Sequence, residues 1–179
     1  MNETEGKYEN FDWVLSALQM MIDETMYHMQ TFAHTLEVHH NKEVAQIFSV
    51  AYEQFKIEHE IICSHMGTRD LPTIAPWETP YPDYQHPSEV LSEVDYLSTQ
   101  EEAWTTIHKV NQNHKGFYDF LLKESENSEL LILMQELLIH CQRSEMTNQK
   151  EVINILTQDT ERDDDLDLIS NEDFKSMFQ

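Results

Sequence analysis

The sequence predicts an all-α fold of four long helices, arranged as two helical hairpins joined by a long crossover. Three observations predict it. The chain of 179 residues holds three glycines and five prolines, and every proline lies between Pro72 and Pro87. Helix breakers are thus nearly absent elsewhere, whereas a β-rich chain of this size needs many turns. Four segments repeat apolar residues with the 3.6-residue period of an amphipathic helix. Two of the links between them are short, and one is long.

The first helix is expected from about Phe11 to His40, with Leu15, Leu18, Ile22, Thr25, Met29, Phe32 and Leu36 inward. The methionines of this helix read as core filling rather than as a haem or copper box. The second runs from about Lys42 to Met66 and turns Val44, Phe48, Ala51, Phe55, Glu58 and Ile62 to one face. The third, from about Thr99 to Lys123, presents Ala103, Ile107, Val110, His114, Phe117 and Leu121. The fourth, from about Ser128 to Leu156, presents Leu130, Met134, Leu137, Cys141, Ser144 and Asn148.

The links His39–Lys42 and Glu124–Asn127 are tight, so each joins antiparallel neighbours. The third link runs from Gly67 to about Ser98 without expected regular structure and holds all the prolines. Two hairpins joined by one long crossover make the ferritin-like connection rather than simple up-down-up-down. The hairpins also read as copies of each other at a constant offset of 86 residues, which places His28 on His114 and Phe32 on Tyr118. The expected organisation is an N-terminal tail over residues 1–10, a helical domain over 11–157 and an acidic C-terminal tail over 158–179.

Lys and Arg number 11 against 34 Asp and Glu, a formal charge of −23. Such a surface repels phosphate backbones and anionic lipid, which excludes nucleic acid and membrane as expected partners. No basic start with an apolar run marks a signal peptide, and no run of about 18 apolar residues marks a membrane span. Cys63 and Cys141 fit no paired metal or redox motif and read as reduced thiols, which points to the cytoplasm. No glycine-rich phosphate loop is present.

Each helix breaks its inward apolar pattern at a similar height. Thr25 and His28 do so on the first helix, Glu58 beside His59 on the second, and Asn111 and His114 on the third. Ser144, Glu145 and Asn148 do so on the fourth. A buried carboxylate without a partner is costly, so these groups must meet something. One reading is a hydrogen-bonded network in which His and Glu satisfy each other and fix register. The other is a metal site through His28, Glu58, His114 and Glu145, with Glu24 and His59 as weaker candidates. Imidazole plus carboxylate suits iron, zinc or manganese.

Several stretches carry a family resemblance. Glu43-Val44-Ala45-Gln46-Ile47-Phe48, Pro76-Trp77-Glu78, Asp95-Tyr96-Leu97-Ser98-Thr99 and the Asn111, His114, Phe117, Tyr118 frame resemble the rubrerythrin-type branch of the ferritin-like superfamily. The resemblance covers roughly Phe11 to Leu156. It implies a ferritin-like four-helix bundle, a homodimer, and two irons that reduce peroxide or oxidise iron. It also implies a Glu on helices one and three and an E-x-x-H on helices two and four. In frame those positions hold Thr25, Asn111, Phe55 and Glu58, and Cys141 and Ser144. A one-residue slip gives Lys56 and His59, Gln142 and Glu145, and Glu24, so no single register restores the ligand set. The rubredoxin-like Cys pairs are absent as well.

The expected function is therefore a rubrerythrin-like protein, a metal-binding oxidoreductase by ancestry with an altered or lost di-iron site. The alternative is a non-catalytic helical scaffold that binds a protein partner through the acidic tail or the proline-rich crossover. Trp77, Tyr81 and Tyr84 either face that partner or pack on the bundle.

Overall fold

A computed structural model describes residues 6–75, 78–148 and 150, and everything below refers to these. They are all-helical, with no strand. We label the helices α1 (Phe11–Val38), α2 (Lys42–Met66), α3 (Pro87–Leu91), α4 (Gln100–Glu124) and α5 (128–148). The predicted C-terminal tail and the last part of the expected fourth helix lie outside the described residues, as does Trp77.

Local chemistry explains the boundaries. Asn10 caps α1 by accepting from the Trp13 amide at 3.1 Å. Thr99 and Glu102 form a reciprocal capping box on α4, each satisfying a backbone amide that the first turn leaves unpaired. Between α1 and α2 the chain reverses through His40 at φ 65°, a left-handed conformation that lets Asn41 cap α2 at once. Gly67, at φ 57°, ends α2 where a side chain would be strained.

The four long helices share one core. Val14, Leu15, Leu18, Met21, Ile22 and Met29 of α1 are fully buried, as are Phe48 and Ile62 of α2, Phe117 and Leu121 of α4, and Leu130, Met134 and Leu137 of α5. Most of them lie on the stripes that the apolar period selects; Val14 and Met21 widen the stripe of α1, and Phe32, expected inward, is half-buried at its edge. α1 packs along α2, and α2 contacts α4. α5 meets α2 where Gln54 Nε2 donates to Asn148 Oδ1 at 2.9 Å and His140 Nε2 bonds the Gln54 carbonyl at 3.0 Å.

The crossover differs from the unstructured link expected of it. His86 and Pro87 open a short helix, α3, with the His86 ring accepting from the Ser88 amide at 3.2 Å and Pro87 in the first turn, where its missing N–H costs nothing. Pro87, Val90, Leu91 and Val94 are buried, so the segment adds to the core. It is then strapped to α4. Asn113 reads both backbone groups of Gln85, accepting its N–H at 3.1 Å and donating to its carbonyl at 2.6 Å. Tyr81 donates to the Asn113 carbonyl at 2.9 Å and stacks on Phe117 at 5.4 Å and 5°. The Tyr81 and Tyr84 side chains therefore pack against the helices.

Gly116 makes room for this strap. A Cβ there would lie 2.7 Å from the Tyr81 hydroxyl oxygen. Gly116→Ala gains about 1 kcal/mol of helix propensity, but overpacking against a ring held by Phe117 and Asn113 costs about 1–3 kcal/mol. The substitution is therefore expected to destabilise the protein. In a Tyr81→Phe background the clash is gone and the same substitution stabilises. Urea unfolding of the wild type, the two single variants and the double variant checks this change of sign.

Candidate functional site

The best-defined polar site is a buried layer linking α1, α2 and α4. Glu58 and His114 are 1% and 0% exposed. His114 Nδ1 donates to Glu58 Oε1 at 2.7 Å, and the same oxygen accepts from the Tyr118 hydroxyl. His114 Nε2 is 2.9 Å from Thr25 Oγ1, so both ring nitrogens are engaged. The threonine hydroxyl can donate to a neutral ring or accept from a charged one, so it satisfies either state. Phe55 lies 5.1 Å from the imidazole and walls it off.

The electrostatics follow from this geometry. Burial alone pushes the Glu58 carboxyl up. The adjacent His114 ring and the hydrogen bonds from His114 and Tyr118 outweigh it, and the group titrates below the usual carboxylate range. The Tyr118 phenol is pushed well up by burial and by the Glu58 charge. Burial, Glu58 and Glu145 push the Cys141 thiol up, so it stays protonated. Tyr118 therefore stays protonated as a donor to the Glu58 carboxylate, and Cys141 packs as a protonated thiol.

The residues proposed from sequence divide into four places. Glu58 and His114 meet in the buried layer. His28 is half-buried on the far side of α1, edge-on to His86 at 5.7 Å. Glu24 lies beside it, 3.1 Å from His86 Nε2 and 3.5 Å from the Tyr84 hydroxyl. The Glu145 carboxylate accepts from the Gln112 amide on the exposed side of α4. His59 is half-buried at the α1–α2 edge, 3.5 Å from Asp23 Oδ1 and 3.4 Å from Cys63 Sγ. The Cys63 thiol is pushed up by burial and by Asp23 and Glu60, which is the wrong setting for a nucleophile. Among the described residues no three His, Cys, Asp or Glu side chains are grouped so that they could hold a metal ion.

The six positions that the resemblance aligns with di-iron ligands are Thr25, Phe55, Glu58, Asn111, Cys141 and Ser144. All six are buried. The slipped alternatives Lys56 and Gln142 are exposed, and Glu24, His59 and Glu145 are only half-buried. A two-iron centre of this kind takes four carboxylates and two imidazoles. The buried set offers one carboxylate, and Asn111 turns in an amide nitrogen that has no partner among the described residues. The donor set does not fit two irons.

Tyr118 is the network member that sequence reasoning did not assign to the site. Its signal was its place one helical turn beyond His114. Comparison with protein-family models, with curated proteins and with solved structures returned no match to this chain. No described helix is long and apolar enough to cross a membrane.

Removing one member of the buried pair leaves the other without compensation. Glu58→Ala and His114→Ala are each expected to cost about 3–5 kcal/mol in urea unfolding. Because Glu58 titrates lower folded than unfolded, its stabilisation is fully present above the unfolded value near about 4.3. It is lost as pH falls from there through the folded value. Glu58→Gln therefore flattens the acid limb of the stability profile relative to wild type. Unfolding midpoints measured from neutral pH downward check this.

Proposed function

We propose that the chain is a divergent rubrerythrin-type, ferritin-like bundle that has replaced its di-iron centre with a hydrogen-bonded layer and works as a non-catalytic helical binding protein. The observation that carries this reading is the closure of the Glu58–His114–Tyr118–Thr25 network. One carboxylate oxygen takes two donors, both imidazole nitrogens are used, and the pair is out of contact with solvent. To bind a cation, His114 would have to give up the bond it makes to Glu58 or the one it makes to Thr25. To turn over peroxide or oxygen, the site would also need further carboxylates that the neighbouring positions lack.

Further support comes from the burial of all six aligned positions. An ancestral ligand shell refilled with Thr, Phe, Asn, Cys and Ser keeps its volume and loses its affinity for metal. A polar layer of this kind specifies register, a role for which buried polar groups are retained in other helical assemblies. Binding then falls to the surface, which the net charge of −23 keeps soluble and selects for in partners.

Elemental analysis tests the proposal. Protein purified without chelator, and again after anaerobic loading with iron, manganese or zinc, is expected to hold well under one ion per chain. One or two ions per chain, lost in Glu58→Ala and His114→Ala proteins that keep their helical circular dichroism, would overturn it in favour of a rebuilt metal-dependent oxidoreductase.

A further inference from the structure

The outer face of α5 carries an ordered pattern that the core does not use. Ile132, Ile139 and Met146 are 56%, 50% and 61% exposed, and each is seven residues from the next. Seven residues nearly close two helical turns, drifting about 20° per heptad, so the three stay in one column. At about 1.5 Å per residue the column is about 21 Å long. A second column runs beside it at the same spacing: Glu129, Glu136, Arg143 and Lys150, all exposed. The flank on the other side holds Gln135 and Gln142, which are exposed and neutral.

The charged column is antisymmetric about its middle. Its two acidic members precede Ile139 and its two basic members follow it. When two such helices lie antiparallel with Ile139 at the centre, like flanks face each other in reverse order. Glu136 then meets Arg143 of the second copy and Glu129 meets Lys150 of the second copy, each pair occurring twice. Ile132 packs beside Met146 of the second copy, and the glutamine flank faces itself. A parallel pairing, or one shifted by a heptad, loses these matches.

From this self-complementarity we propose that the outer face of α5 is an isologous interface, occupied by α5 of a second copy of this chain about a two-fold axis near Ile139. The inference is independent of the metal question. An isologous contact needs one patch to complement itself, which the order Glu, Glu, Arg, Lys achieves and most charge orders do not. Arg143 and Lys150 have no salt-bridge partner among the described residues. Glu129 and Glu136 are steadied by Arg69 and His65 of their own chain yet stay 63% and 51% exposed, and a carboxylate has room for further donors. At physiological ionic strength the Debye length of about 8 Å screens the repulsion between two acidic bodies while leaving pairs in contact intact.

Sedimentation velocity on the full chain, from micromolar to near-millimolar protein, tests this. A concentration-dependent dimer is expected. Ile139→Glu, which sets two carboxylates against each other on the axis, is expected to abolish it. Glu136→Arg and Arg143→Glu should each weaken it by about tenfold or more, because by symmetry each substitution turns two attractive pairs repulsive. The double variant Glu136→Arg/Arg143→Glu restores opposite charges across the axis and should recover the dimer. All three positions are solvent-exposed, and far-ultraviolet circular dichroism confirms that the variants fold. A chain that stays monomeric throughout, a dimer indifferent to Ile139→Glu, or single charge reversals that the double variant does not rescue would each overturn the proposal.

Discussion

A single buried carboxylate constrains the packing of three helices. Glu58 is almost wholly buried, and an uncompensated charge in a core costs several kcal/mol. Its compensation comes from His114 and Tyr118, 56 and 60 residues further along the chain. The His114 ring is held in turn by Thr25, 89 residues earlier in sequence. Apolar stripes alone would let α1, α2 and α4 slide by a turn with modest loss, because one leucine contact resembles the next. The Glu58 network allows one axial position only. That is a directional constraint of a kind that the hydrophobic effect does not supply.

The crossover depends on α4 being held in that position. Asn113 faces the strap from the residue next to His114, and Gly116 and Phe117 seat Tyr81 in the following turn. One stretch of α4 therefore serves two interfaces. His114 and Tyr118 look toward α1 and α2, while Asn113, Gly116 and Phe117 receive the crossover. A side-chain amide that pairs both backbone groups of Gln85 does for the strap what a neighbouring strand would do in a sheet. It lets a proline-rich segment lie against the core without leaving its polar groups unmet.

The surface follows different rules. Among the described residues many of the exposed carboxylates make local pairs, as Asp12 and Glu129 do with Arg69 and Glu93 does with Lys109. α5 is different in its outer column, where the charges are sorted along the helix axis rather than mixed. Its apolar column lies almost opposite the face that Leu130, Met134, Leu137 and Cys141 turn inward. A helix that is apolar on two opposite faces has more hydrophobic surface than one core can use, and an interface is the ordinary outlet for it.

Much of the fold was legible in the chain. The apolar period placed α1, α2 and α4 to within two residues at each end, because a helix packed on one side must repeat its core residues every three or four positions. The short links gave the hairpins, and the inward polar positions Thr25, Glu58, Asn111, His114, Ser144 and Asn148 proved buried. Sequence did not reveal α3, whose helix is one turn long and is stabilised by burial of Val90 and Leu91 rather than by its own propensity. Nor did it separate His28 from His114. The 86-residue offset made them equivalents, yet one is half-buried against the crossover and the other fully enclosed. A rotation of about 100° per residue moves a side chain from core to flank in one step, and sequence periodicity resolves a face no more finely than that. The sequence by itself thus determined the helices, their order and the polarity of the layer inside them. Only the tertiary structure decided which polar groups meet, because Glu58, His114, Tyr118 and Thr25 lie on three helices and are joined only when packing fixes all three registers at once.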